Sequence, residues 1–295
     1  MTPTATKSTI QKMPRILRRV FAALATVLAG GFLCALLIRL APGYGFDERE
    51  MDQRMRAESI RAIRAERTET GFAALYWQNL RAAIGGDLGK SRALNRPIAE
   101  LFAERLPVTA RSMAIGLALA WVFALGLAAA MAVTRSQALN AFAAALSGAT
   151  LALPSAVIAL LFLLAGWPPG LAVAVVIFPR IFRYLDSLTR GILDQPHVLF
   201  AEAKGVSRAR ILAYHVLPVA AEEIAALAGI SVSLAFGALI PIEVVCGSPG
   251  FGLLAWQAAQ ARDLPLLVDM TVIVTLFTIA ANSIPDFFER AERAA

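Results

Sequence analysis

Residues 108–133 read VTARSMAIGLALAWVFALGLAAAMAV, with Arg111 as their single charge. A spanning helix needs roughly 20 apolar residues to cross about 30 Å of hydrocarbon, so this stretch predicts a transmembrane helix and not a soluble core segment. Four further runs meet the same criterion: Leu17 to Leu40, Ala138 to Ala165, Val219 to Val245 and Leu264 to Phe288. A poorer candidate lies between Trp167 and Leu188, where Arg180, Arg183 and Asp186 interrupt the second half. It is kept as the fourth span, because a half-buried helix can turn such charges toward protein or let them snorkel to the interface. The predicted fold is therefore all-α and integral to a membrane, with about six transmembrane helices; five or seven fit the same pattern.

Composition agrees. The 295 residues are 58% hydrophobic and 17% charged, whereas soluble domains are about half apolar and a quarter charged. The formal net charge of +7 does not point to nucleic acid, because the basic residues are spread between apolar runs and form no block interleaved with aromatics. Cys34 lies within an apolar run and Cys246 just after another; with two histidines in the chain, Cys-His metal chemistry has little material, and no metal site is expected.

Orientation follows from the short connections. The N-terminal tail carries Lys7, Lys12, Arg15, Arg18 and Arg19. With that tail in the cytoplasm, the inner side also collects Arg135, Arg190, Lys204, Arg208, Arg210, Arg290 and Arg293, and the short outer connections keep only Arg262. The expected organisation is a cytoplasmic tail at 1–16, a transmembrane domain at 17–289 with a long outer loop at 41–107 and a cytoplasmic loop at 190–218, and a cytoplasmic tail at 290–295. Both termini are then cytoplasmic. The outer loop is rich in arginine, but loops beyond about 60 residues are largely exempt from the charge rule. Its 47–70 segment reads as a solvated, ion-paired helix, and Gly71 to Leu80 (GFAALYWQNL) as a segment lying on the membrane surface or against the spans. The first apolar run is longer than the 7 to 15 residues usual in a signal peptide, and Arg39 to Gly43 offers no small-x-small cleavage site, so it is read as a retained span.

The chain contains neither a phosphate-binding loop ending in Lys and Ser or Thr nor a Gly-x-Ser-x-Gly elbow, and no paired histidines occur at metal-ligand spacing. Enzymatic activity is not expected. The informative stretch is the loop from Arg190 to Pro218. Ala201, Glu202, Ala203 and Lys204 favour helix, Gly205 can end it at positive φ, and Ser207 is placed to cap a second helix containing Ile211, Leu212 and His215. Leu217 and Pro218 mark where hydrogen bonding is interrupted and the next span begins. His215 is read as a capping or packing residue, not a pH switch.

Ala201-Glu202-Ala203-Lys204-Gly205-Val206-Ser207, followed by His215-Val216-Leu217-Pro218, resembles the coupling loop of ABC importer permeases, in particular the dipeptide, oligopeptide and nickel group. The resemblance covers nearly the whole chain. Arg39-Leu40-Ala41-Pro42-Gly43 is similar to that group's end of the first span, and Gly86-Asp87-Leu88-Gly89 with Ser91 to its outer-loop motif. Arg96-Pro97-Ile98-Ala99-Glu100 and Glu104-Arg105-Leu106-Pro107-Val108-Thr109 are similar to the start of its second span. Glu243 to Gly252 (EVVCGSPGFG) is similar to the motif after its fifth span, and Asn282 and Asp286 fall where its last span carries the same residues. Two features depart from the pattern: Leu199 stands where the broader family has Glu six positions before the glycine, and the Gly166 to Gly170 connection is short.

The resemblance implies a type I importer permease in the inner membrane, forming the translocation pathway for a small polar solute, either a peptide or a nickel or metal chelate. It implies a second permease subunit, identical or not, two cytoplasmic ABC ATPases, and an extracytoplasmic substrate-binding protein. The chain itself then needs no cofactor, since ATP and Mg belong to the ATPases, and its remaining partner is the lipid bilayer. Asp269, Asn282 and Glu243 are polar groups in or near spans that either line the pathway or make structural hydrogen bonds. Glu222 and Glu223, near a span end, read as interfacial. Gly30, Gly31, Gly116, Gly126 and Gly229 are expected to permit close helix approach. The alternative is a secondary transporter or channel driven by an ion gradient, which would favour several ionisable groups near the midplane; this sequence offers few.

Overall fold

The computed structural model describes residues 85–294 continuously, with side chains to 282, together with residues 25, 26, 29–33, 36 and 81. The expected first span, the charged 47–70 helix and the 71–80 segment fall largely or wholly outside the described residues. Among the described residues the regular elements are helical: α1 (Ile98–Thr134), α2 (Gln137–Ala152), α3 (Ser155–Leu164), α4 (Pro169–Leu193), α5 (Pro196–Ala203), α6 (Arg208–Ile211), a π-helical turn (Leu212–Val216), α7 (Leu217–Cys246), α8 (Phe251–Gln260) and α9 (Leu264–Ala294). Among the described residues, three helical runs are long and apolar enough to cross a membrane: Ile98–Thr134, Arg208–Cys246 and Leu264–Asn282.

The expected span from Ala138 to Ala165 is not one straight helix. It is divided into α2 and α3, which meet at 96°. Pro154 explains the break: its ring disfavours α geometry in the preceding residue, and Leu153 is extended at φ −86°, ψ 129°. The expected Trp167–Leu188 span becomes α4, which starts two residues after Trp167, carries the Arg180–Asp186 region and buries one side through Ala172, Val173, Ile177, Ile181 and Leu185 while Arg180 and Arg183 stay exposed. Asp186 and Arg190 form an ion pair one turn apart, at 2.8 Å.

The chain divides into two compact units, one of residues 1–102 and 257–279, the other of 103–256 and 280–295. In the second, α4 packs on α7, α2 and α3, and α7 also packs on α3. The cluster is rich in small side chains, including Ala120, Ala124, Ala143, Ala159, Ala172 and Ala235. Lipid tails are as apolar as leucine, so helices in a bilayer associate chiefly through close van der Waals fit, which small residues permit. Gly116 is the tightest instance between spans: a Cβ there would lie 2.5 Å from Val173 Cγ1 and 2.9 Å from the Gly170 carbonyl. Gly126 does not match the expectation, since a Cβ there would meet open space.

In the first unit, the 86–97 segment is held by local geometry. Gly86 and Gly89 take positive φ, the Gly89 N–H donates to Asp87 Oδ1 at 2.9 Å, and an isolated antiparallel bridge pairs Lys90 with Pro97. Asp263, at the start of α9, accepts from Ser91 Oγ at 2.5 Å and from the Ala93 N–H at 3.0 Å. Its second oxygen accepts from Leu266 N–H at 3.4 Å, as a helix cap does.

Candidate functional site

The predicted loop is a small built structure. Helix α5 ends in a Schellman motif: the Gly205 N–H donates to the Glu202 carbonyl at 2.9 Å and the Val206 N–H to the Ala201 carbonyl at 3.2 Å. Gly205 carries the positive φ this closure requires, +78°. Beneath it lies a core of Ile192, Val198, Ala201, Ile211, Val216 and Ala220, with Val206 packed against it. Ala203 and Lys204 face outward, and Lys204 Nζ lies 4.4 Å from the centre of the Phe200 ring, a cation–π contact.

Two expectations change here. Ser207 occupies the N-cap position before α6, but its side chain makes no capping hydrogen bond. Nor does Pro218 interrupt the helix: the helical run continues from Arg208 to Cys246. The π-helical turn accounts for this. Proline in a helix removes one donor and crowds the carbonyl four residues back, and the wider turn over Leu212–Val216, with the Leu217 N–H on the Leu212 carbonyl, makes room before Pro218. His215 lies in this turn, its ring 6.5 Å from that of His197. Leu217 and Pro218 are exposed.

Glu202 faces its own chain. Its Oε1 accepts from Arg135 Nη2 at 2.6 Å, across the connection between α1 and α2. Arg208 Nη1 donates to the Val133 carbonyl at 3.3 Å nearby. The sequence placed Arg135 only as a topology charge; its pairing with Glu202 has no local signature.

Of the three polar residues singled out in or near the spans, Glu243 is wholly buried at the end of α7. Thr109 Oγ1 donates to its Oε1 at 2.6 Å and the Gly252 N–H to its Oε2 at 2.6 Å, while Thr109 Oγ1 also accepts from the Phe251 N–H at 2.7 Å. Every strong acceptor in this cluster meets a donor, as a buried carboxylate requires. The 247–252 turn follows a second Schellman closure at Gly247, φ +60°. Thr109 had appeared only as part of a motif, and the glycines at 250 and 252 were the available sign that something approaches closely. Asn282 is exposed. It accepts from Ser233 Oγ at 3.3 Å and lines a cleft of 430 Å³ with Ala226, Ile230, Ser233 and Leu234. Asp269 is buried. Glu243 and Asn282 share no partner.

The family described as binding-protein-dependent transport system inner membrane component matches residues 122–293. Over 92% of this chain and 94% of its own length, a Brucella suis biovar 1 (strain 1330) protein named "Putative peptide permease protein" is 28% identical. The glutathione transport system permease protein GsiC of Salmonella typhimurium (strain LT2) is 22% identical over 92% of this chain and 94% of its own length.

Proposed function

Because the chain belongs to the family of binding-protein-dependent transport system inner membrane components, we propose that it is a permease half of an ATP-driven importer that receives mechanical work through its 190–218 loop. It is a multi-pass inner-membrane transport subunit and not an enzyme. A substrate-binding protein outside, a second permease chain and two cytoplasmic ATPases complete the transporter in this reading. The solute is of the peptide class, glutathione included, the substrates in the names of two relatives. Asn282 and the cleft beside it belong to the solute route, whereas Glu243 serves structure. The family match gives no support to an ion-gradient mechanism.

The observation that carries the coupling role is a polar loop backed by its own core that nevertheless displays large apolar and aromatic side chains on its outer side. Leu199, Phe200 and Tyr214 are 51%, 63% and 73% exposed. Solvent alone gives no reason to display such residues beside a buried cluster, and a protein cleft does. With Leu199 in place of the family's acid, the ATPase contact is apolar and aromatic, with Lys204 at its edge.

Gly205 tests this. A Cβ there meets nothing within 4 Å in this chain, so within the chain the main cost of Gly205→Val is the positive φ, about 1–2 kcal/mol of local strain. Any larger effect has to come from a partner. Purified with its ATPases, the variant is expected to keep its fold and lose ATPase docking or binding-protein-stimulated hydrolysis; unchanged stoichiometry and stimulation would refute the coupling role.

The full span count of six, with both termini cytoplasmic, completes the proposal. Cysteines introduced at Arg61 and at Arg290 should respectively react with, and escape, an impermeant thiol reagent in intact cells. Labelling at both sites overturns this topology.

A further inference from the structure

Two polar contacts, one on each side of Gly205, connect the 196–216 loop with the C-terminal end of α1, at Val133 within the helix and at Arg135 just past it. Before it, Glu202 meets Arg135 at 2.6 Å. After it, Arg208 donates to the Val133 carbonyl at 3.3 Å. The receiving end is itself well defined: Arg135 sits at φ +49° with its N–H on the Met131 carbonyl at 3.0 Å, and Ser136 Oγ accepts from Leu139 N–H to cap α2. On the loop side, Ala201 and Val198 lie in the core shared with Ile192 of α4 and Ala220 of α7. One compact element therefore joins three helices, two through an apolar core and α1 through charge.

We propose that Arg135, Glu202 and Arg208 form a brace that hands displacement of the loop directly to α1. The proposal rests on the transport reading above. The ion pair's side chains are 48% and 26% exposed, and exposed pairs add little stability, so the brace does not serve to hold the fold together. A contact that is weak as glue but fixed in position acts as a positioning device: it sets which helix follows when the loop moves. Glu202 and Arg135 are positioning residues in this sense, and the ATPase surface is left to Leu199, Phe200, Tyr214 and Lys204.

The test follows α1 itself and needs no knowledge of the solute. In a Cys34→Ser, Cys246→Ser background, a nitroxide is placed at Val122→Cys, an exposed position on α1, and the complex with its ATPases is compared without nucleotide and after trapping with ATP and vanadate. The spectral response to trapping should fall about fivefold in Glu202→Arg and in Arg135→Glu, the scale of a partly exposed ion pair, and recover to within about twofold in the double swap. Subunit stoichiometry should not change. Full response in the single variants, no recovery in the swap, or no response at residue 122 in the parent complex overturns the brace. Failure of the parent chain to assemble with ATPases at all overturns the transport reading first.

Discussion

Gly252→Ala is expected to lower the melting temperature of the detergent-solubilised chain by about 10 °C, a loss of about 3 kcal/mol. A Cβ at 252 would stand 2.7 Å from Ile240 Cα and 2.9 Å from Glu243 Oε2. The first of these is backbone in the middle of a helix, which cannot swing aside as a side chain tip could. Moving the turn outward instead would pull the Gly252 N–H off Glu243 and the Phe251 N–H off Thr109, leaving buried polar groups short of partners. Gly237→Ala is the matched control. It lies in α7 with open space around its Cβ position, and alanine there should be neutral or stabilising by up to about 1 kcal/mol. If the two substitutions melt within a degree or two of each other, the Glu243 cluster is not the tight clasp described here.

Asp263→Ala should cost about 2–4 kcal/mol, because three donors lose one carboxylate. Ser91 Oγ, the Ala93 N–H and the Leu266 N–H all point to it, and Ser91 Oγ in turn accepts from the Leu94 N–H at 3.0 Å. Alanine offers none of them a partner, so the 91–97 segment and the first turn of α9 should loosen together. Hydrogen exchange is the direct measurement, with faster exchange expected at residues 93–95 and 266–267. Asp263→Asn retains one good acceptor oxygen and should fall between the parent and the alanine variant. Protection unchanged in Asp263→Ala would show that the carboxylate is incidental to both segments.

Much of the architecture was legible because it depends on local properties. Hydropathy over a window of about 20 residues measures the cost of placing that window in lipid, and it located α1, α7 and α9 without any knowledge of what they touch. The same window could not register the break in the Ala138–Ala165 run, since Pro154 barely changes its mean hydropathy while disfavouring α geometry at Leu153. Proline misled in the opposite sense at 218, where the π-helical turn absorbs it and the helix carries on. A proline states that one hydrogen bond is missing, and the surrounding geometry decides whether that becomes a bend or a wider turn.

By itself, the amino-acid sequence determined that this chain lives in lipid, where its long apolar helices run, and that Gly205 closes a helix in a polar loop, because each of these follows from side-chain chemistry or from one residue's backbone freedom. Its ordered motifs also led to the permease family. Only the tertiary structure decided which acids are free. Glu243 meets Thr109 across 134 residues, Ser91 meets Asp263 across 172, and Glu202 meets Arg135 across 67. Such pairs carry no periodicity, for they depend on where the chain returns after several helices. A carboxylate reads the same in sequence whether it lines a water-filled route or is buried against two donors.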